Sequence, residues 1–186
     1  MKTILITGAS SGIGRATAMR FQAEGWNVAA TMRHPEREIE LQELSRVAVF
    51  SLEVTDRNSI NAAVASTIDR FGGINVLVNN AGYWLVGALE AVDPPQLERQ
   101  FATNVFGCVY AIQACLPHFR DRGAGLIINV SSIGGRIALP FNSLYHGTKF
   151  AIEGISESLA LELAPHAIRV KIVEPGGVKT DFAGRS

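Results

Sequence analysis

Cysteine is scarce in this chain: among 186 residues only Cys108 and Cys115 occur. They lie seven apart in a helix-period segment, and no Cys/His cluster has metal-ligand spacing, so the expectation is a reducing compartment and no metal. An excess of either charge is also missing. With 17 basic and 17 acidic side chains the chain has no electrostatic bias toward nucleic acid. No apolar run approaches the ~18 residues of a membrane span. The apolar start "MKTILIT" is too short for a signal peptide and breaks into glycines instead of a cleavage site, which points to a soluble, cytoplasmic protein with no membrane partner. Repeats, low-complexity tracts and interdomain linkers are absent, so residues 1–186 are expected to form one domain.

What is present is alternation. Valine- and isoleucine-rich runs near 2–7, 27–32, 47–54, 75–80, 125–131 and 169–175 are nearly continuously apolar, as strands covered on both faces would be. Helical patterns near 12–24, 35–44, 57–71, 94–121 and 145–164 fall between them. A βαβα order predicts an α/β fold, a three-layer doubly wound parallel sheet of Rossmann type with strand order 3-2-1-4-5-6. Ligands are then expected at the carboxyl ends of the strands.

"TGASSGIG", Thr7 to Gly14, falls between the first strand and the first helix. Gly8, Gly12 and Gly14 permit positive φ and close approach to the backbone, and the helix start offers unpaired N–H groups to a pyrophosphate. A tight βα turn without a ligand would use the same residues. A P-loop nucleotidase does not fit, because the loop lacks the Gly-Lys-Ser/Thr ending. Gly-x-x-x-Gly-x-Gly is followed by "NNAG" at 79–82, "VSS" at 130–132, "YHGTK" at 145–149 and "PGGVKT" at 175–180. This ordered set, from residue 3 to 180, resembles the short-chain dehydrogenase/reductase family. The resemblance implies a Rossmann fold and hydride transfer between NAD(P) and an alcohol or carbonyl substrate.

Tyr145 and Lys149 stand four apart at the start of a predicted helix, hence on one face. Bringing a tyrosine from a pKa of about 10 to near neutrality requires about 4 kcal/mol. A cation at ~4 Å in an effective dielectric of about 20 supplies energy of that order, so Lys149 is expected to lower the Tyr145 pKa. An amphipathic tyrosine and a solvated lysine would share this spacing. The family's serine lies thirteen residues before its tyrosine, which selects Ser132 as the group that binds the substrate oxygen, with Ser131 the fallback. In "LERQFATNVFGCVYAIQACL", Leu97, Phe101, Val105, Cys108 and Ile112 trace one apolar helix face, and Asn104 falls on it. That asparagine is either a core amide satisfied by backbone carbonyls or, as the resemblance implies, a fourth catalytic residue holding a water that links Lys149 to solvent.

The resemblance also assigns the cofactor contacts. Gly8, Ser10, Ser11, Gly12, Ile13 and Gly14 would hold the pyrophosphate loop; Asn80, Ala81 and Gly82 would line the adenosine ribose side, with Asn79 bracing the sheet. Tyr145 and Lys149 would reach the nicotinamide ribose, and Pro175, Gly176, Val178 and Thr180 the carboxamide. Met32 stands where an NAD-specific site would carry an acid, and Arg33 follows with His34 next, which favours NADP(H). Glu53, with Val54, replaces the family's usual Asp-Val at the adenine; Asp56 is either its second acid or a helix cap.

The sequence ends at "VKTDFAGRS", where family members continue into a substrate-covering segment and a seventh strand, and "RVKIVEP" is expected to be an uncovered sheet edge. Tyr83, Trp84, Leu85, Ile133, Leu139 and Phe141 would wall an apolar substrate site, unless they are ordinary loop packing. Family members pair through helices corresponding to 94–121 and 145–164, so a homodimer is expected. The expected activity is NADP(H)-dependent carbonyl–alcohol interconversion; the rival reading is a non-catalytic NADP(H)-binding sensor or subunit.

Overall fold

Alternate residues of the first strand enter different cores. β1 (Thr3–Ile6) sends Leu5 into a buried cluster with Ala29, Leu77 and Ile127, and sends Ile4 and Ile6 into another with Val28, Ala30, Val76 and Val78. Successive side chains point to opposite faces, so a strand covered on both sides must be apolar throughout. The same rule builds β2 (Asn27–Met32), β3 (Val47–Ser51), β4 (Val76–Asn79), β5 (Gly125–Val130) and β6 (Ile168–Val173). In this computed structural model, which describes residues 1–182 and 184, all pairings are parallel and the order is β3-β2-β1-β4-β5-β6, as expected. Ala183, Arg185 and Ser186 lie outside the described residues.

α1 (Gly12–Ala23) packs Ala18 into the Ile4 cluster. The pattern over 35–44 does not become one helix. A 3₁₀ turn at Pro35–Arg37 gives way to extended backbone at Glu38, and only the single turn α2 (Glu40–Glu43) follows. Glu38 causes the break: its buried carboxylate accepts from the Leu41 N–H and pairs with Arg15 of α1, which pulls the chain inward where a helix would carry it past. α3 (Arg57–Phe71) is capped by Asp56, whose Oδ1 accepts from the Asn58 N–H, so the cap is what the structure displays at that acid.

The long helix expected over 94–121 is present as a continuous helical run, but it changes register part-way. α4 (Pro94–Phe101) runs into a π-helical turn at Ala102–Phe106 before α5 (Gly107–Arg122). A π turn is wider than an α turn, and it offsets the faces on its two sides. Leu97, expected on the apolar face, is therefore 41% exposed while Gln100 is fully buried, its Nε2 donating to the Tyr83 carbonyl. α6 (Ser143–Leu163) begins two residues before the expected start. Among the described residues the sheet is bounded by β3 and β6, with Arg169 and Lys171 of β6 exposed.

Candidate active site

At the crevice between β1 and β4, two loops are stitched together by one hydroxyl and one amide. The Thr7 hydroxyl accepts from the N–H groups of Asn80 and Ala81, and Asn80 Nδ2 donates to the carbonyls of Thr7 and Gly8, both at 3.0 Å. Gly8, at φ +68°, has room for no side chain: a Cβ there would lie 2.9 Å from Ala81 Cα. At Gly14 a Cβ would lie 2.4 Å from the Gly8 oxygen and 2.5 Å from Asn80 Nδ2. The loop thus lays bare backbone at the positive end of α1, a cradle that fits an anionic dinucleotide. Thr180 leans toward Gly12, and a cleft of about 740 Å³ is bounded by Gly12, Ile13 and Thr17 of α1 and by Val178 and Thr180.

Gly14→Ala should be damaging despite alanine's better helix propensity. The collision is with backbone, which cannot rotate away, so a loss of about 1–3 kcal/mol in stability is expected. Displacing the Asn80 bonds should also weaken dinucleotide binding at least ten-fold; a melting curve with and without ligand reads both.

Around this cradle the other expected cofactor residues are unevenly placed. Arg33 is exposed just past β2, while Met32 is buried in the Ile4 cluster. Glu53 turns its carboxylate back onto the Thr55 N–H, and Val54 is buried where Gly107 of α5 leaves space for it. Ser10 is exposed; Ser11 occupies the N-cap of α1. Gly176 and Val178 are exposed, and the Pro175 carbonyl accepts from the Ile133 N–H, tying this segment to the loop after β5.

α6 brings Tyr145 and Lys149 together. Lys149 Nζ stands 5.7 Å from the centre of the Tyr145 ring and donates to the Val130 carbonyl at 2.9 Å. Ser132 lies beside them, near enough to the Tyr145 phenol to pull its pKa down, and its Oγ accepts from the Gly134 N–H. Ser131 is buried, turned toward Gly135 and Glu153. Asn104 sits in the π turn. Its Oδ1 accepts from the Tyr83 N–H, and its Nδ2 donates to the Tyr83 carbonyl and to Thr148 Oγ1, which donates to the Tyr145 carbonyl. Both amide hydrogens are therefore engaged in joining the segment after β4 to α6, as a satisfied core amide would be.

The electrostatics differ from expectation. Burial holds the Tyr145 phenol above its ordinary value, with the Ser132 hydrogen bond pulling the other way. Lys149 is itself pushed down to about 8 by burial, against the attraction of Glu153. Desolvation wins although the ammonium donates to the Val130 carbonyl, a bond that favours the charged form, because the amine is buried beneath the ring. Burial also pushes the Cys108 and Cys115 thiols up to about 12, which leaves both unreactive.

Trp84 is half-buried at the site, 6.2 Å from Tyr145 between ring centres, and its indole N–H donates to Asn142 Oδ1. Ile133 and Phe141 are 50% and 66% exposed at the rim, and Leu139 is exposed beside them. Phe182, 6.4 Å from Tyr145, adds a wall that no motif marked. Behind the strands, Asn79 Nδ2 donates to Asn129 Oδ1, and Asn129 Nδ2 to Ser156 Oγ. Asn79 does brace β4 against β5; its partners Asn129 and Ser156 went unforeseen because nothing distinguishes them locally. Among the described residues no group of three His, Cys, Asp or Glu side chains could hold a metal, and no helix is long and apolar enough to cross a membrane.

The short chain dehydrogenase family model matches residues 2–186. The chain belongs to this family. It is 42% identical over 179 residues to a 3-ketodihydrosphingosine reductase of Bacteroides thetaiotaomicron, covering 96% of this chain and 65% of that relative. To human 17-beta-hydroxysteroid dehydrogenase type 1 it is 37% identical, over 96% of this chain and 57% of that enzyme. Its fold superposes with a TM-score of 0.92 on the structure of ElxO with NADP bound, at 32% identity, covering 99% of this chain and 77% of ElxO. The chain therefore spans less than two thirds of the curated relatives just named.

Proposed function

We propose that the chain binds NADP(H) and interconverts a carbonyl and a secondary alcohol on an apolar substrate. The observation that carries this reading is the meeting of the Ser132 hydroxyl, the Tyr145 phenol and the Lys149 amine at the carboxyl end of the same parallel sheet that carries the glycine cradle. When bound, the nicotinamide supplies or accepts the hydride. Ser132 hydrogen-bonds the substrate oxygen and stabilises charge that develops there. Tyr145, kept protonated at neutral pH by its burial, gives that oxygen its proton in the direction of reduction. Lys149 would hold ribose hydroxyls of the cofactor, and it adds positive charge beneath the ring. Trp84, Phe182, Ile133 and Phe141 bound a site suited to an apolar ketone. Exposed Arg33, with no acid at Met32, supports NADP(H) over NAD(H). Exposed Phe150 and Leu161 on α6 and Phe106 before α5 support a homodimer through those helices, and the two free thiols suit the cytoplasm.

A fluorescence titration tests the binding half directly. Trp84 beside Tyr145 and Trp26, packed on Phe21 before the six-residue strand β2, should both transfer energy to NADPH, Trp84 the more strongly. NADPH is expected to bind at least ten-fold more tightly than NADH, with the signal weakened in Trp84→Phe. Equal affinities would remove Arg33 from the site. NADPH binding without turnover over a carbonyl panel would favour the non-catalytic module.

A further inference from the structure

The segment between Ser132 and Tyr145 carries the apolar rim, yet it has little regular structure of its own. After the 3₁₀ turn Ile133–Gly135 the chain runs through residues 136–142 to α6, with Ile137, Leu139 and Phe141 all exposed. Phe141 holds φ at +63°, a region a bulky residue adopts only when its surroundings impose it. Two flanking contacts fix this end: the Phe141 carbonyl accepts from the Gly87 N–H, and Asn142 Nδ2 donates to the Pro140 carbonyl at 2.7 Å.

The middle is gripped by one side chain. His146, buried directly after Tyr145, lies with Nε2 2.9 Å from the Leu139 N–H and Nδ1 2.7 Å from the Gly134 carbonyl. A backbone N–H can only donate, so Nε2 is the bare nitrogen and the ring proton sits on Nδ1, donating to Gly134. Both nitrogens of a neutral imidazole are thereby used on the two ends of a six-residue stretch, 134–139. The fit is close: a Cβ on Gly134 would lie 2.8 Å from His146 Nδ1 and 3.3 Å from Tyr145 Cε1. The stretch therefore rests on both the proton carrier and its neighbour.

We propose that His146 is a specificity-determining positioning residue: it sets the distance between Tyr145 and the apolar rim at Leu139, and so the length of apolar substrate that can lie with its carbonyl at Ser132. The proposal rests on the carbonyl reading above. Both ring nitrogens of His146 are taken up by backbone, so its role is to position that stretch. The outside of the same stretch is held independently, because Arg136 Nε, Nη1 and Nη2 pair with Glu174, Glu157 and Glu153 at 3.0, 3.3 and 3.1 Å. Losing His146 should therefore loosen Leu139 and leave Ser132 in place.

Amide exchange followed by NMR, together with steady-state kinetics on 2-butanone and 2-decanone, tests this. In His146→Phe the Leu139 amide should exchange at least ten-fold faster, and KM for 2-decanone should rise about ten-fold, the worth of one or two hydrogen bonds. KM for 2-butanone and kcat for both ketones should stay within two-fold. His146→Gln, whose Oε1 can accept from Leu139, should recover most of the protection and of the KM. Unchanged exchange at Leu139, or an equal KM rise for both ketones, or a fall in kcat, would overturn the assignment in an active enzyme. A wild-type chain inert toward a broad carbonyl panel would overturn the carbonyl reading, and this assignment with it.

Discussion

Tyr145→Phe is expected to lower kcat for carbonyl reduction by about 10²–10⁴-fold, the range for removing a positioned proton donor, while the Kd for NADPH stays within two-fold. The substitution deletes one oxygen. The ring keeps its neighbours, with Trp84 and Phe182 at 6.2 and 6.4 Å and the Lys149 ammonium at 5.7 Å. Ser132 loses the phenol but still accepts from the Gly134 N–H, so its loop should hold. The stability change should be about 1 kcal/mol or less, the net worth of one hydrogen bond. Because burial raises the Tyr145 pKa, the phenol is a donor through neutral pH, and reduction by the native chain should slow only on the alkaline side. Stopped-flow reduction with saturating NADPH separates the outcomes. Turnover unchanged in the variant would move the proton to another group.

How much of this was legible in the sequence depends on how local each cause is. The six strands could be read because burial on both faces forces continuous apolar runs, which no local competitor imitates. Tyr145 and Lys149 could be paired because one helical turn fixes their relation. The helix expected over 35–44 failed because Glu38 answers to Arg15 on a different helix. The π turn at Ala102–Phe106 was hidden for a similar reason: its register serves Asn104, whose partners Tyr83 and Thr148 are distant in sequence. Phe182 and His146 were missed because an aromatic after a turn and a histidine on a helix have no signature until the chain has folded around them. The expected fall in the Tyr145 pKa was a pairwise argument that left out desolvation, the larger effect in this pocket.

Lys149→Met carries the second large effect, and its two readouts should move in opposite directions. On the proposed reading turnover should fall by at least about 10²-fold, since the variant loses the charge beneath the tyrosine and the group that would donate to ribose hydroxyls. Stability at pH 7 should rise. Folding lowers the Lys149 pKa from 10.5 to about 8, so below pH 8 both folded and unfolded chains carry the proton and the folded state bears the whole desolvation cost, about 3 kcal/mol. Above pH 10.5 the amine is neutral in both states and that cost is gone, so the native chain gains stability as pH rises from 8 to 10.5. Methionine removes the cost but abandons the bond to the Val130 carbonyl, worth about 1 kcal/mol. Glu153, one turn along α6, keeps Arg136 as its partner at 3.1 Å. The balance is a gain of about 1–2 kcal/mol at pH 7, or a few degrees in Tm for a domain of this size, shrinking or reversing by pH 10. Denaturant midpoints of both chains at pH 7 and pH 10 read the difference. A variant destabilised equally at both pH values would mean that the amine anchors the fold; a variant more stable only at pH 7 would mean that a buried charge is retained at a cost in stability for what it does to Tyr145.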